Sequence, residues 1–190
     1  RVSGMSFADY VHTHIFQPLG MEHSGLKPDL SDNPWVQEKR KELQCYMPDG
    51  SLIPDCFYHI TWYPAGMCTS TLEDFATFGQ TLLKSDCPLF EKESTYKKMF
   101  TPTAYSGDSE IPSNYHGFWV LPYGVEVIGH GGNTAGCSSY LALNLENEIG
   151  LVVMTNQSSE GNYNGEMLEL VFGKYSTEEW FPQGRDDWEG

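Results

Sequence analysis

Val125-Glu126-Val127-Ile128-Gly129-His130-Gly131-Gly132-Asn133 is followed by Ser138-Ser139-Tyr140-Leu141-Ala142-Leu143-Asn144-Leu145 and, past Glu146-Asn147-Glu148, by Ile149-Gly150-Leu151-Val152-Val153-Met154. Short apolar and β-branched runs bounded by turn formers are the pattern of consecutive antiparallel strands. Between the first two runs, Gly129–Asn133 reads as a Gly-rich connection. Three glycines within four residues carry no Cβ, so the backbone there can come close to a ligand. His130 adds a titratable donor at that opening. Spacing alone leaves the plainer reading equally open: a turn whose histidine is merely exposed.

Upstream of this meander the period changes from two to that of a helix. Ser6 with Asp9 forms a capping signature, and Phe7, Tyr10, Val11, His14 and Ile15 share one face until Pro18-Leu19-Gly20. Residues 21–58 are rich in Pro, Asp, Ser and Gly, a long excursion of the kind that forms covers or rims. Its charged patch, Glu38 to Glu42, reads as a solvated helix face. A short strand is expected at 58–62. Thr71 with Asp74 repeats the capping signature before the stripe Leu72, Phe75, Ala76, Gly79, Leu82 and Leu83, expected in the core. Pro88 opens a further helix that ends near Lys97 and Lys98. Strands are expected at 115–121, 125–130, 137–145 and 149–155. A last helix follows at 162–173 with Met167, Leu168, Leu170 and Val171 inward. Helices, then an antiparallel meander, then a helix predict an α+β fold, a sheet flanked by helices.

A chain of 190 residues can bury one sizeable core, expected over 1–174, with an acidic, aromatic tail at 175–190. Eleven basic against 26 acidic residues give a net charge of −15, which repels phosphate backbones and anionic lipid. Nucleic acid is therefore not an expected partner, and no apolar run reaches bilayer-spanning length. The opening Arg1-Val2-Ser3-Gly4 suggests a piece of a longer protein. Cys45, Cys56, Cys68, Cys87 and Cys137 are spread without a Cys-x-x-Cys pair, so neither a zinc site nor a disulfide framework is expected. Buried free thiols are the default, with Cys45–Cys56 the one bridge to consider. His12 and His14 point in different directions on a helix, and no metal or organic cofactor is expected.

Several motifs now fall in order. Ser3-Gly4-Met5-Ser6-Phe7 and Ile15-Phe16-Gln17-Pro18-Leu19-Gly20-Met21 are similar to a helix and its PLGM turn. Pro64 to Phe75 is similar to an "aGG(L/M)-S-T-x-x-D" loop and helix, with Gly66-Met67-Cys68 departing from the commoner Gly-Gly-Leu. Tyr115-His116-Gly117-Phe118-Trp119 is similar to a YGxGW strand. His130-Gly131-Gly132, then Gly136 and the hairpin ending Met154-Thr155-Asn156, is similar to an "H/K-x-G" strand running to "LxN". Over roughly residues 1–172 the chain resembles the C-terminal half of the serine β-lactamase and penicillin-binding-protein superfamily, in its class C-like branch, which includes D-alanyl-D-alanine carboxypeptidases and esterases.

The resemblance implies a β-lactamase/transpeptidase-like fold, incomplete here, and acyl transfer through a serine ester. It implies a small-molecule or peptide substrate with an ester or amide bond, and a location outside the cytoplasm. The family's nucleophile lies in Ser-x-x-Lys, followed by Tyr-x-Asn or Ser-x-Asn. Ser94-Thr95-Tyr96-Lys97 and Ser31-Asp32-Asn33 match those patterns in the wrong order, and Ser94 sits among charges, so both read as decoys and the nucleophile is expected outside the chain. His130 takes the place of the family's strand Lys or His, as a donor to substrate or to a hydroxyl network. An ordinary imidazole is mostly neutral at pH 7 where a lysine is cationic, which favours ester or peptide-like substrates over penicillins. Asn133 matches the strand's main-chain oxyanion donor, Gly131 and Gly132 the open edge for substrate. Asn156 is a cleft-lining candidate as well as a turn former, and Tyr63, beside Trp62, a substrate wall as well as core. A catalytically inactive peptide- or peptidoglycan-binding relative is the alternative function.

Overall fold

The computed structural model describes residues 2–56, 62–108, 110–158 and 161–175. Its first helical stretch starts as the capping signature requires. The Ser6 hydroxyl oxygen accepts from the Asp9 N–H at 3.1 Å and its O–H donates to the Asp9 carboxylate at 2.7 Å. Helix α1 (Phe7–Val11) widens into a π turn (His12–Phe16) and continues as α2 (Gln17–Leu19), closed by Gly20 at φ +67°. Pro18 has no N–H to return to His14, and the chain reaches it with Gln17 donating to the His12 carbonyl. Ala8, Val11, Phe16, Met21 and Leu26 form a small core there, against which Tyr63 and Phe78 pack.

The excursion is tied down at several points. Helix α3 (Pro34–Arg40) is capped by Asn33, and its charges do form a solvated face, with Lys39–Glu42 at 2.9 Å and Lys41–Glu38 at 2.6 Å. Strands β1 (Cys45–Tyr46) and β2 (Leu52–Ile53) form a separate two-stranded ribbon. Of the strand expected at 58–62, residues 58–61 lie outside the described residues, and Trp62 is in a turn.

A six-stranded antiparallel sheet runs in sequence order: β3 (Ala104–Tyr105), β4 (Pro112–Tyr115), β5 (Phe118–Pro122), β6 (Glu126–Thr134), β7 (Cys137–Asn144) and β8 (Ile149–Thr155). Alternation along β7 builds both layers. Leu141 and Leu143 face a core shared with α4 (Leu72–Leu82) and α5 (Glu93–Met99), while Tyr140 and Ala142 face α6 (Gly161–Phe172) through Leu168 and Phe172. Helix α4 crosses closely at Gly79, where a Cβ would stand 2.8 Å from Leu141 Cδ1. The expected α+β architecture, an antiparallel sheet flanked by helices, is what forms.

Four local expectations are corrected. The run 115–121 is not one strand: His116 (φ +49°) and Gly117 (φ +104°) make a two-residue turn between β4 and β5. The connection at Gly129–Asn133 is not a turn, because β6 continues to Thr134 and the reversal falls at Ala135-Gly136. Helix α5 begins at Glu93 rather than Pro88, since Leu89 and Phe90 turn inward to the core first. On α6, Leu170 (80% exposed) and Val171 (41%) point outward; Leu170 falls on the side of the helix opposite Leu168 and Phe172, and Val171 lies at the edge of their buried face. Among the described residues no helix is long and apolar enough to cross a membrane.

Candidate functional site

β6 is paired from Ile128 to its end at Thr134 on one side but only from Glu126 to Gly129 on the other. Toward β7 the pairing runs from Ile128↔Leu143 to Thr134↔Cys137. Toward β5 it stops at Trp119↔Gly129, because the β4–β5 turn ends β5 at Phe118. Among the described residues no strand pairs with His130–Thr134 on that edge.

Register decides which main-chain groups face the gap. The pair that closes a two-residue turn is hydrogen-bonded, and antiparallel pairs alternate from there. Thr134↔Cys137 closes the turn, so Gly132 bonds toward β7 while Gly131 and Asn133 direct their N–H and C=O outward. The same counting from Tyr115↔Phe118 aims Trp119 at Gly129, in agreement. The free edge therefore offers two outward main-chain donors two residues apart. That spacing suits an extended peptide or a carbonyl oxygen.

His130 stands at the head of this edge. It is exposed, and its imidazole stacks on the Trp119 indole with ring centroids 4.3 Å apart and planes 23° apart. Such a stack contributes about 0.5–1.5 kcal/mol and limits the orientations the imidazole samples. Gly131 has a packing reason as well as an access reason. A Cβ there would stand 2.6 Å from the Tyr140 ring, whose burial pushes its phenol up to about 12. Gly132 is different: its Cβ would meet the Ser139 hydroxyl at an ordinary 3.4 Å.

The remaining candidates make other contacts. Tyr63 packs edge-on to Phe7, ring centroids 6.1 Å apart, against the N-terminal helical core. The Asn156 amide donates to the Gln44 carbonyl at 2.9 Å and its own carbonyl accepts from the Tyr46 N–H, so it joins the end of β8 to β1. Among the described residues neither is hydrogen-bonded to His130 nor in ring contact with it. Trp119 is the residue that sequence reasoning missed. Recognising His116-Gly117 as a two-residue turn would have set the β4–β5 register, while the pairing of Trp119 with Gly129 is set by the β5–β6 connection.

The two decoy motifs have structural explanations. Ser94 is exposed on α5, where Lys97 pairs with Glu93 at 2.8 Å. Asp32 accepts from the Leu26 and Lys27 N–H groups at 2.7 and 3.0 Å and contacts His12 Nε2 at 2.8 Å, while Asn33 caps α3. A second buried carboxylate, Asp74, accepts from the His23 N–H and the Ser24 hydroxyl, each at 2.8 Å, and Ser24 also bonds Ser70 at 2.7 Å. These bonds hold the excursion against α4. A groove of about 630 Å³ lies between α4 and β8, lined by Leu72, Gly79, Leu83, Leu143 and Val152 and by none of the candidate site residues. Among the described residues no cluster of His, Cys, Asp and Glu has a metal-holding arrangement.

The family model described as Beta-lactamase matches residues 1–173. A putative penicillin-binding protein of Bacillus subtilis, PbpX, is 28% identical over 166 residues, covering 83% of this chain and 39% of that protein. Among solved structures, the octameric penicillin-binding protein homologue from Pyrococcus abyssi superposes with a TM-score of 0.68 at 25% identity, over 95% of this chain and 41% of that one. The fold is also that of a D-stereospecific amidohydrolase from Streptomyces sp., with a TM-score of 0.66 at 22% identity, over 91% and 50% of the two chains. The chain thus spans about two fifths of the length of the penicillin-binding relatives it matches.

Proposed function

The chain belongs to the beta-lactamase family, within the serine β-lactamase and penicillin-binding-protein superfamily, and from that premise we propose that it forms one wall of the acyl-transfer cleft of a class C-like serine hydrolase. The observation that carries this reading is the half-paired β6, with an exposed imidazole at its head and outward main-chain groups at Gly131 and Asn133. His130, oriented by Trp119, donates a proton to the substrate or to the hydroxyl network beside it. The Asn133 N–H donates to the oxyanion that forms when a carbonyl is attacked. Gly131 aligns the substrate backbone along the edge.

In this reading the nucleophile comes from polypeptide outside these 190 residues, since Ser94 is exposed among the charges of α5 and Ser31 lies in the turn ahead of α3. An imidazole in place of a lysine favours ester and peptide-like amide substrates, including D-alanyl-D-alanine-type peptides, over penicillin carboxylates. The protein containing this chain, treated with a fluorophosphonate and with a fluorescent penicillin, should acquire a covalent adduct on a Ser-x-x-Lys serine. An intact protein that carries that motif and takes neither label would overturn the reading. One whose preceding sequence lacks the motif would be an inactive binding relative instead.

A further inference from the structure

Cys45 and Cys137 lie 92 residues apart in the chain, yet their sulfurs are 3.9 Å apart. Cys45 is 1% exposed and Cys137, the first residue of β7, is partly exposed. A third buried thiol, Cys56, and the Arg40 guanidinium lie within electrostatic reach of the pair. All three cysteines are free thiols.

The backbone fixes this meeting independently of the sulfurs. Gly136, at φ +80° in the β6–β7 turn, is pressed against Cys45, whose Cβ any side chain there would strike. Tyr46 donates to the Asn156 carbonyl at 2.9 Å, Ser158 donates to the Tyr46 carbonyl at 3.0 Å, and the Gly136 N–H donates to the Ser158 hydroxyl at 2.6 Å. β1, the end of β8 and the turn thus hold the two thiols at a set spacing. The sulfurs have to close from 3.9 Å to a bonded separation of about 2.05 Å.

We propose that Cys45 and Cys137 are a disulfide-forming site that fastens the excursion to the base of the β6–β7 turn, with Cys56 as a neighbouring thiol that can exchange into the bridge.

The oxidant is a small-molecule disulfide. Cys137 reacts first: burial pushes its thiol up, but the hydrogen bond with Cys45 and the Arg40 charge act in the opposite direction, and it is the more exposed of the two. Its thiolate attacks the oxidant, forms a mixed disulfide and expels one thiolate. Cys45 then loses its proton and attacks the Cys137 sulfur, forming the protein disulfide and expelling the second thiolate. Two thiol hydrogens and two electrons leave the protein, and the oxidant departs as two thiols. Attack by Cys56 on Cys45 moves the bridge to Cys45–Cys56 and frees the turn. The site adjoins β6 because Cys137 pairs with Thr134, next to Asn133.

The test is to incubate the folded chain with oxidised glutathione, alkylate the remaining thiols, digest without reduction and map linked peptides by mass spectrometry. A Cys45–Cys137 peptide should be the first cross-link to appear. It should raise the melting temperature by several degrees, an effect that dithiothreitol reverses. In Cys56→Ser the same link should persist rather than exchange. The proposal is overturned if Cys45 links to Cys56 with no Cys45–Cys137 link at any earlier time point, if Cys137 stops at the glutathione adduct, or if no protein disulfide forms. Wild-type mapping decides the question even if the Cys56 variant folds poorly.

Discussion

The Tyr140 ring lies against Gly131, occupying the space a Cβ there would need at 2.6 Å, while Gly132 next door has ordinary clearance. Two glycines that look equivalent in the sequence therefore have different reasons to be glycine. Gly131→Ala should destabilise the chain by about 1–3 kcal/mol through displacement of the ring, as for other overpacked sites. Gly132→Ala should stay within about 0.5 kcal/mol. Urea denaturation of the pair checks this, and equal losses would remove Tyr140 as the cause.

The stack of Trp119 on His130 predicts an order of effects on catalysis in the protein containing this chain. His130→Ala should lower kcat/KM at least about tenfold, the scale of losing a proton donor in the transition state. Trp119→Ala should cost less and Trp119→Phe least, because a phenyl ring can still stack. An unchanged rate in His130→Ala would reject the role given to the imidazole.

Asp74 predicts a large loss from one atom group. Its carboxylate takes the His23 N–H and the Ser24 hydroxyl in a buried setting, so Asp74→Ala leaves those donors without a partner. A destabilisation of about 2–4 kcal/mol is expected. Ser70→Ala, which removes only the outer hydroxyl of the chain, should cost about 1 kcal/mol. Denaturant midpoints at equal m-values measure both.

Asp32 predicts an acid limb. Burial alone would raise its carboxyl, but the Leu26 N–H, the His12 contact and the Lys27 N–H outweigh it and hold the group below its usual 3.8. The unfolded chain therefore takes up a proton here before the folded one does. The stability from this site is complete above that usual value and is lost as pH falls through the lower folded value. Urea midpoints taken between about pH 5 and pH 2.5 should fall more steeply in the wild type than in Asp32→Asn. Parallel curves would show that the carboxylate contributes nothing to the slope.

What the sequence determined by itself is local. Ser6 and Thr71 start helices because a hydroxyl can reach an N–H three residues on, and both caps form. Leu141 and Leu143 against Tyr140 and Ala142 follow from the two-residue repeat of a strand, which fixes two buried faces and so the layered α+β fold. The helix–meander–helix order and the family are legible for the same reason. The tertiary structure decided where β6 loses one neighbour, which aromatic meets His130, why Gly131 differs from Gly132, and that the Cys137 sulfur lies 3.9 Å from that of Cys45. Each of these depends on inter-strand register or on contacts between distant segments. A one-residue shift in pairing would turn every side chain of a strand to the opposite face, and no local pattern fixes that alignment. Tyr63 and Asn156, cleft candidates by motif, also take contacts that only the tertiary structure supplies, with Phe7 and with Gln44.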